Sequence, residues 1–207
     1  MKIPARTSSD FEVVPQGNHL AICNAVIDLG MQPVSGMYPD PKPQLYLRFE
    51  LPAKPITYQK DGKDVTGPMS IGRALTASMS EKANLRKLIE SWRGQAFTSD
   101  DAASNFDLKE LLGKTCLVNV AHTKKKDKTY ANIVSITPLP DGMKVEVPQH
   151  NASLYFSLEE PNDKAFNELP KWLREKIQKR IQPGSEEPTP PTEREMPSDD
   201  FGDEIPF

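Results

Sequence analysis

Residues 44–51, QLYLRFEL, alternate without a break: Leu45, Leu47, Phe49 and Leu51 on one face, Tyr46, Arg48 and Glu50 on the other. A period of two belongs to a strand with one buried face, so this segment demands a sheet and a core to lie on. Its neighbours agree. Residues 19–31, HLAICNAVIDLGM, are rich in apolar and β-branched residues and end at Gly30 and Pro33, as a long first strand would. The Pro- and Gly-dense loop MQPVSGMYPDPKP separates the two. Residues 56–79 read as strand material broken by the turn Lys60-Asp61-Gly62-Lys63, and Asp-Gly between strand-like flanks is a hairpin signal.

A helix then interrupts the strands. In EKANLRKLIESWR, Leu85, Leu88, Ile89 and Trp92 fall at i, i+3, i+4 and i+7, one apolar stripe. Ser80 is the expected cap and Gly94 the expected end. A short helix is expected at DLKELLG, residues 107–113. Two strands follow, over 114–123, with Cys116, Val118 and Val120 on one face, and over 129–138, joined by the turn Lys124-Lys125-Lys126-Asp127-Lys128. Three strands, a helix and two strands is the order of the OB-fold, a five-stranded, partly open barrel that binds oligonucleotides. A small α+β sheet of different topology has the same periodicities, so the pairing order stays open at this point. Past Pro140 the strand signal fades. Residues 163–181, DKAFNELPKWLREKIQKRI, read as helix split at Pro170, with Trp172, Leu173, Ile177 and Ile181 on one side and bases crowding the rest. Such a helix is expected to pack across one end of the barrel; a basic helix that touches DNA is the alternative.

The 207 residues suit one domain with extensions: residues 1–150 as the barrel, 151–182 as a helical extension and 183–207 as a tail. Residues 183–198, PGSEEPTPPTEREMPS, have no apolar period, and such a composition predicts a disordered arm. From Ser185 onward eight acids face the single base Arg194, a tail charge of −7; the whole chain is −3, so residues 1–184 carry +4. A mildly basic body behind an acidic arm suits a polyanion ligand with which the arm competes. Cys23 and Cys116 sit in apolar runs and read as reduced core thiols, and His19, His122 and His150 have no metal-ligand spacing with them. No run of 18 apolar residues and no leader-like N-terminal segment is present, so an intracellular protein is expected.

The chain closes on Asp199, Asp200, Phe201, Gly202, Asp203, Glu204, Ile205, Pro206 and Phe207. Carboxylates beside a terminal Ile-Pro-Phe form a short motif whose ring fits a pocket and whose terminal carboxylate fits a basic clamp. This ending resembles the acidic tip of bacterial and bacteriophage single-stranded DNA-binding proteins. Residues 80–98, SEKANLRKLIESWRGQAFT, with 106–140, FDLKELLGKTCLVNVAHTKKKDKTYANIVSITPLP, are similar to phage-encoded members of that class with an OB-fold core. The resemblance implies a mainly β protein that coats and protects single strands during DNA replication, recombination and repair. It also implies that Asp199, Asp200, Phe201, Asp203, Glu204, Ile205, Pro206 and Phe207 recruit partner enzymes: a polymerase, helicase, nuclease or recombinase. Self-association is compatible with it, and the bacterial host cytoplasm is the expected compartment of a phage-encoded member.

Binding single strands without sequence choice needs cations along the phosphates and flat side chains under the bases. The turn supplies Lys124, Lys125, Lys126 and Lys128, and Tyr130 follows as a stacking ring. Tyr46 and Arg48 share the polar face of their strand and form a second set; a solvent-facing Tyr packed on its neighbours is the plainer reading. Tyr58, Lys60 and Lys63 lie at the next hairpin, and Arg73 lies in a strand whose facing the pattern leaves open. Phe49 and Trp92 fall on apolar stripes and are expected in the core. No phosphate-cradling loop, nucleophile elbow or HExxH stands in the chain, so neither catalysis nor a cofactor is expected. Asp28 and Glu50 are single carboxylates without visible partners for a metal. The rival functions are an adaptor in a replication complex whose main ligand is another protein, and a divalent-ion nuclease.

Overall fold

The computed structural model describes residues 12–33, 40–60, 62–126, 128–143, 145 and 148–182. Six strands form one sheet: β1 (Gly17–Gln32), β2 (Lys42–Lys60), β3 (Lys63–Thr76), β4 (Thr115–Lys125), β5 (Lys128–Thr137) and the three-residue β6 (Leu154–Phe156). The order is β3-β2-β1-β4-β5, antiparallel throughout, with β6 pairing parallel to β1. This is the open, curled five-stranded barrel expected of an OB-fold. Its edges meet at β3 and β5, where Arg73 Nη1 donates to the Ile133 carbonyl at 3.2 Å.

The alternation in β2 sets the inside of the barrel. Leu45, Leu47, Phe49 and Leu51 pair in register with Leu75, Arg73, Ile71 and Met69, and all but Arg73 join one buried cluster with Cys23, Cys116, Val118, Val120, Ile133 and Ile136. The helix between β3 and β4, α1 (Asn84–Arg93), buries the expected stripe of Leu85, Leu88, Ile89 and Trp92 against this cluster. Trp92 packs on Phe49 with ring centroids 5.6 Å apart, and its Nε1 donates to the Thr115 carbonyl at 3.1 Å. Gly94 ends α1 at φ 69, a left-handed value that suits glycine. The expected Ser80 cap is not used. Ala83 is the N-cap, because Ser80 instead closes a turn by accepting from the Ala83 amide.

Other boundaries also move. A helix not legible from periodicity, α2 (Asp100–Ser104), starts on a Ser99 side-chain cap. The expected helix over 107–113 is a 3-10 turn at Leu108–Leu111. Both thiols are buried and free, and burial pushes the Cys23 thiol up to about 12.

The C-terminal part departs most from expectation. It forms α3 (Asp163–Glu168) and α4 (Lys171–Gln178), split at Pro170 as the sequence predicts. It does not pack across an end of the barrel. It lies on the outer face of β1 and β2, where Ala25, Ile27 and Leu29 meet Leu154, Phe156, Leu169, Leu173 and Ile177 in a second core. The long first strand is therefore buried on both faces, which explains its near-continuous apolar run.

A candidate nucleic-acid interface

Register places both long hairpins at one end of the barrel. β1 begins at Gly17, opposite Val120, and β4 runs on to Lys125. At the same end β2 runs past Glu50, which faces Ile22, to Lys60. The β2–β3 and β4–β5 hairpins thus project together beyond the start of β1. Residues 12–16 approach this end, held by two imidazoles: His19 Nε2 donates to the Pro15 carbonyl and His122 Nε2 to the Val14 carbonyl, each at 2.7 Å.

Each hairpin carries one exposed tyrosine, Tyr58 at 45 % and Tyr130 at 47 % exposure. Tyr130 pairs in register with Thr123, and Lys125 with Lys128, which puts Tyr130, Lys125, Lys128 and Asn132 on one face. Thr123, Lys125, Tyr130 and Asn132 line an open hollow of about 500 Å³. Lys124 falls on the opposite row and is exposed, and Lys126 turns the chain at φ 53. The turn thus divides into one face that sets Tyr130 beside two lysines and two further lysines around the tip. Lys63 is exposed at the other hairpin; the Lys60 side chain lies outside the described residues.

A cleft of about 350 Å³ lies at the foot of the β2–β3 hairpin, lined by Arg48, Tyr58, Gly67, Ser70 and His150, with Glu12 as the acid among the lining residues. Arg48 is half-buried, and desolvation lowers its pKa, partly offset by Tyr46 and Glu50. Its Nε donates to Asn24 Oδ1 at 3.0 Å, and Asn24 Nδ2 donates to Glu50 Oε2 at 3.2 Å. Glu50 is fully buried and accepts three more bonds: from the amides of His150 (2.7 Å) and Asn151 (3.0 Å), and from Asn151 Nδ2 (2.8 Å). One carboxylate thereby fixes the His150–Asn151 wall of the cleft and, through Asn24, the Arg48 side chain. Held this way, a guanidinium keeps donors for a phosphate without first losing side-chain freedom.

Three sequence expectations change here. Tyr46 is on the outer face, as alternation requires, but it is no open platform. Its ring packs edge-on against Trp172, with centroids 5.2 Å apart at 85°, and lies across Gly72, where a Cβ would overlap its hydroxyl end. Burial raises its pKa. Arg73 falls on the inward row and ties the barrel seam, outside the cleft; with Lys87, Ser91 and Val134 it lines a separate hollow of about 210 Å³. Asp28 and Glu50 are structural acceptors: Asp28 takes the amides of Gly30 and Leu158 at 2.8 and 3.2 Å.

His150 and Glu12, which complete the cleft, carried no signal, because nothing local marks residues brought in from distant parts of the chain, His150 from 100 positions past Glu50. Among the described residues no group of His, Cys, Asp or Glu is placed to hold a metal ion, and no helix is long and apolar enough to cross a membrane. Asp199, Asp200, Phe201, Asp203, Glu204, Ile205, Pro206 and Phe207 lie outside the described residues. The fold is that of an OB-type barrel with an added outer layer. No protein-family model and no curated protein matches the chain.

Proposed function

We propose that the chain is a single-stranded DNA-binding protein without sequence preference, of the kind encoded by phages, acting in replication and recombination. One observation carries the reading. Two hairpins rise from the same end of an OB-type barrel, each with an exposed tyrosine and at least one exposed lysine, next to a cleft lined by a braced Arg48. Stacking rings and cations in one region are what an unpaired strand requires, and they need no chemical step. The acidic Ile-Pro-Phe terminus supports a recruiting role toward replication and recombination enzymes, with the −7 tail competing for the +4 body.

The test is fluorescence anisotropy with single-stranded DNA, duplex DNA and RNA of one length over a salt series. The expected result is tighter binding to single-stranded than to duplex DNA, falling steeply as salt rises. Equal or tighter binding to duplex overturns the reading. Absence of binding to any nucleic acid favours the adaptor function, and cleavage dependent on a divalent ion favours a nuclease.

A further inference from the structure

The second core leaves one large ring half outside it. On α4, Leu173 and Ile177 are buried, while Trp172 is 51 % exposed, more than Tyr58 or Tyr130. One position before Leu173 is a rotation of about 100° around the helix, which puts Trp172 at the edge of the apolar stripe. Its T-shaped contact with Tyr46 fixes the ring, and about half of the residue stays in solvent. One turn further on, Lys176 Nζ donates to Gln44 Oε1 at 3.2 Å. Gln44 and Tyr46 are successive outward positions of β2, so Trp172 and Lys176 run as a wall along the outer face of that strand.

Beyond that wall the outer face of β3 is low. Its outward positions, register partners of Gln44, Tyr46, Arg48 and Glu50, are Thr76, Ala74, Gly72 and Ser70. None is larger than threonine, and Ser70, Thr76 and, in part, Ala74 are exposed, while Gly72 between Ser70 and Ala74 lies under the Tyr46 ring. This strip starts at Ser70 on the rim of the cleft and passes Arg48. It reaches the level of Tyr46 and Trp172 about 7 Å further along the strand. The segment that carries the wall is basic: residues 171–180 hold Lys171, Arg174, Lys176, Lys179 and Arg180 against Glu175 alone. Lys171 pairs with Glu175 at 3.8 Å, and both are largely exposed.

We propose that Trp172 is a base-stacking residue and that the bound single strand leaves the cleft at Arg48, crosses the low outer face of β3 and stacks a base on this indole. The C-terminal helix is then part of the nucleic-acid surface, and the site extends beyond the barrel. A half-exposed, packed aromatic ring beside cations and small side chains is the arrangement that stacks bases regardless of sequence. The inference rests on the single-strand reading above and adds to it a location the barrel alone does not supply.

Trp172 and Trp92 are the two tryptophans, and Trp92 is buried. Oligothymidylate is therefore expected to quench the indole emission of the intact protein and to shield it from acrylamide, and Trp172→Phe should abolish both effects. By anisotropy, Trp172→Leu, which keeps an apolar cover over Tyr46, should weaken binding roughly 5- to 150-fold, the range for removing one stacked ring. Trp172→Phe should bind within a few-fold of the parent. If Trp172→Leu fails to fold, as seen by circular dichroism, quenching and shielding in the parent decide alone. Binding with neither quenching nor a weakening in Trp172→Leu overturns the Trp172 assignment and leaves the single-strand reading standing. No binding by the parent overturns both.

Discussion

Glu50 is the residue on which the cleft most depends, and its replacement by Ala is expected to cost about 3–5 kcal/mol. The side chain has no exposure and accepts four hydrogen bonds, two from the backbone amides of His150 and Asn151 and two from the side chains of Asn24 and Asn151. Bonds to a charged acceptor contribute about 1.5–3 kcal/mol each, but they share one anion and do not add. Breaking a buried charged cluster by removing one member costs about 3–5 kcal/mol. Residues 148–151 are otherwise mostly exposed, so water can satisfy their freed amides and the loss should not exceed that range. Urea unfolding reads it out. With a slope of about 2 kcal/mol per M, the midpoint should fall by about 1.5–2.5 M. Glu50→Gln keeps the volume and one acceptor oxygen but turns an NH₂ toward donors, so it should fall in between. The His150–Asn151 wall and the Arg48 brace should loosen together, and oligonucleotide binding should weaken in Glu50→Gln under conditions where it stays folded. A Glu50→Ala midpoint within about 0.5 M of the parent refutes the claim that this carboxylate organises the cleft.

The remaining predictions concern the ligand. Replacing Lys124, Lys125, Lys126 and Lys128 by Ala should flatten the log–log salt dependence of single-strand binding by roughly 0.7 for each phosphate no longer neutralised; an unchanged slope makes the turn a solvated tip. Tyr58→Ala and Tyr130→Ala should each cost about 1–3 kcal/mol of oligonucleotide binding, with Phe restoring most of it. Tyr46→Ala should instead lower the thermal midpoint, because it strips the cover between Gly72 and Trp172; an unmoved midpoint contradicts its packing role. Deleting residues 199–207 should abolish capture of partner enzymes and leave DNA binding equal or tighter, most visibly at low salt, since screening weakens the tail's competition as ionic strength rises. Weaker DNA binding after the deletion refutes that competition.

Local pattern carried the barrel. Strict alternation over 44–51 determined which side chains of β2 face inward, Asp61-Gly62 marked the first hairpin, the Lys-rich run marked the second, and the i, i+3, i+4, i+7 stripe determined which face of α1 is buried. These signals are legible because a half-buried element repeats its requirement every turn or every second residue. What alternation cannot say is whether the other face of a strand is wet. Tyr46 read as an outward ring because polar positions normally meet water, yet residues 154–177 return to cover that side of β1 and β2. β6, three residues long, is too short to show a period, and its pairing with β1 was decided across more than 120 positions of sequence. The same long return placed the His150 and Asn151 amides on Glu50, turning a candidate metal carboxylate into a structural one, and left Trp172 at the rim of a core instead of inside it. Residue order specified the five barrel strands, the stripe of α1 and the charge on the hairpins. Which polar groups meet, and which ring stays in solvent, depended on the free energy of closing long loops over an apolar face, a quantity that belongs to the whole chain.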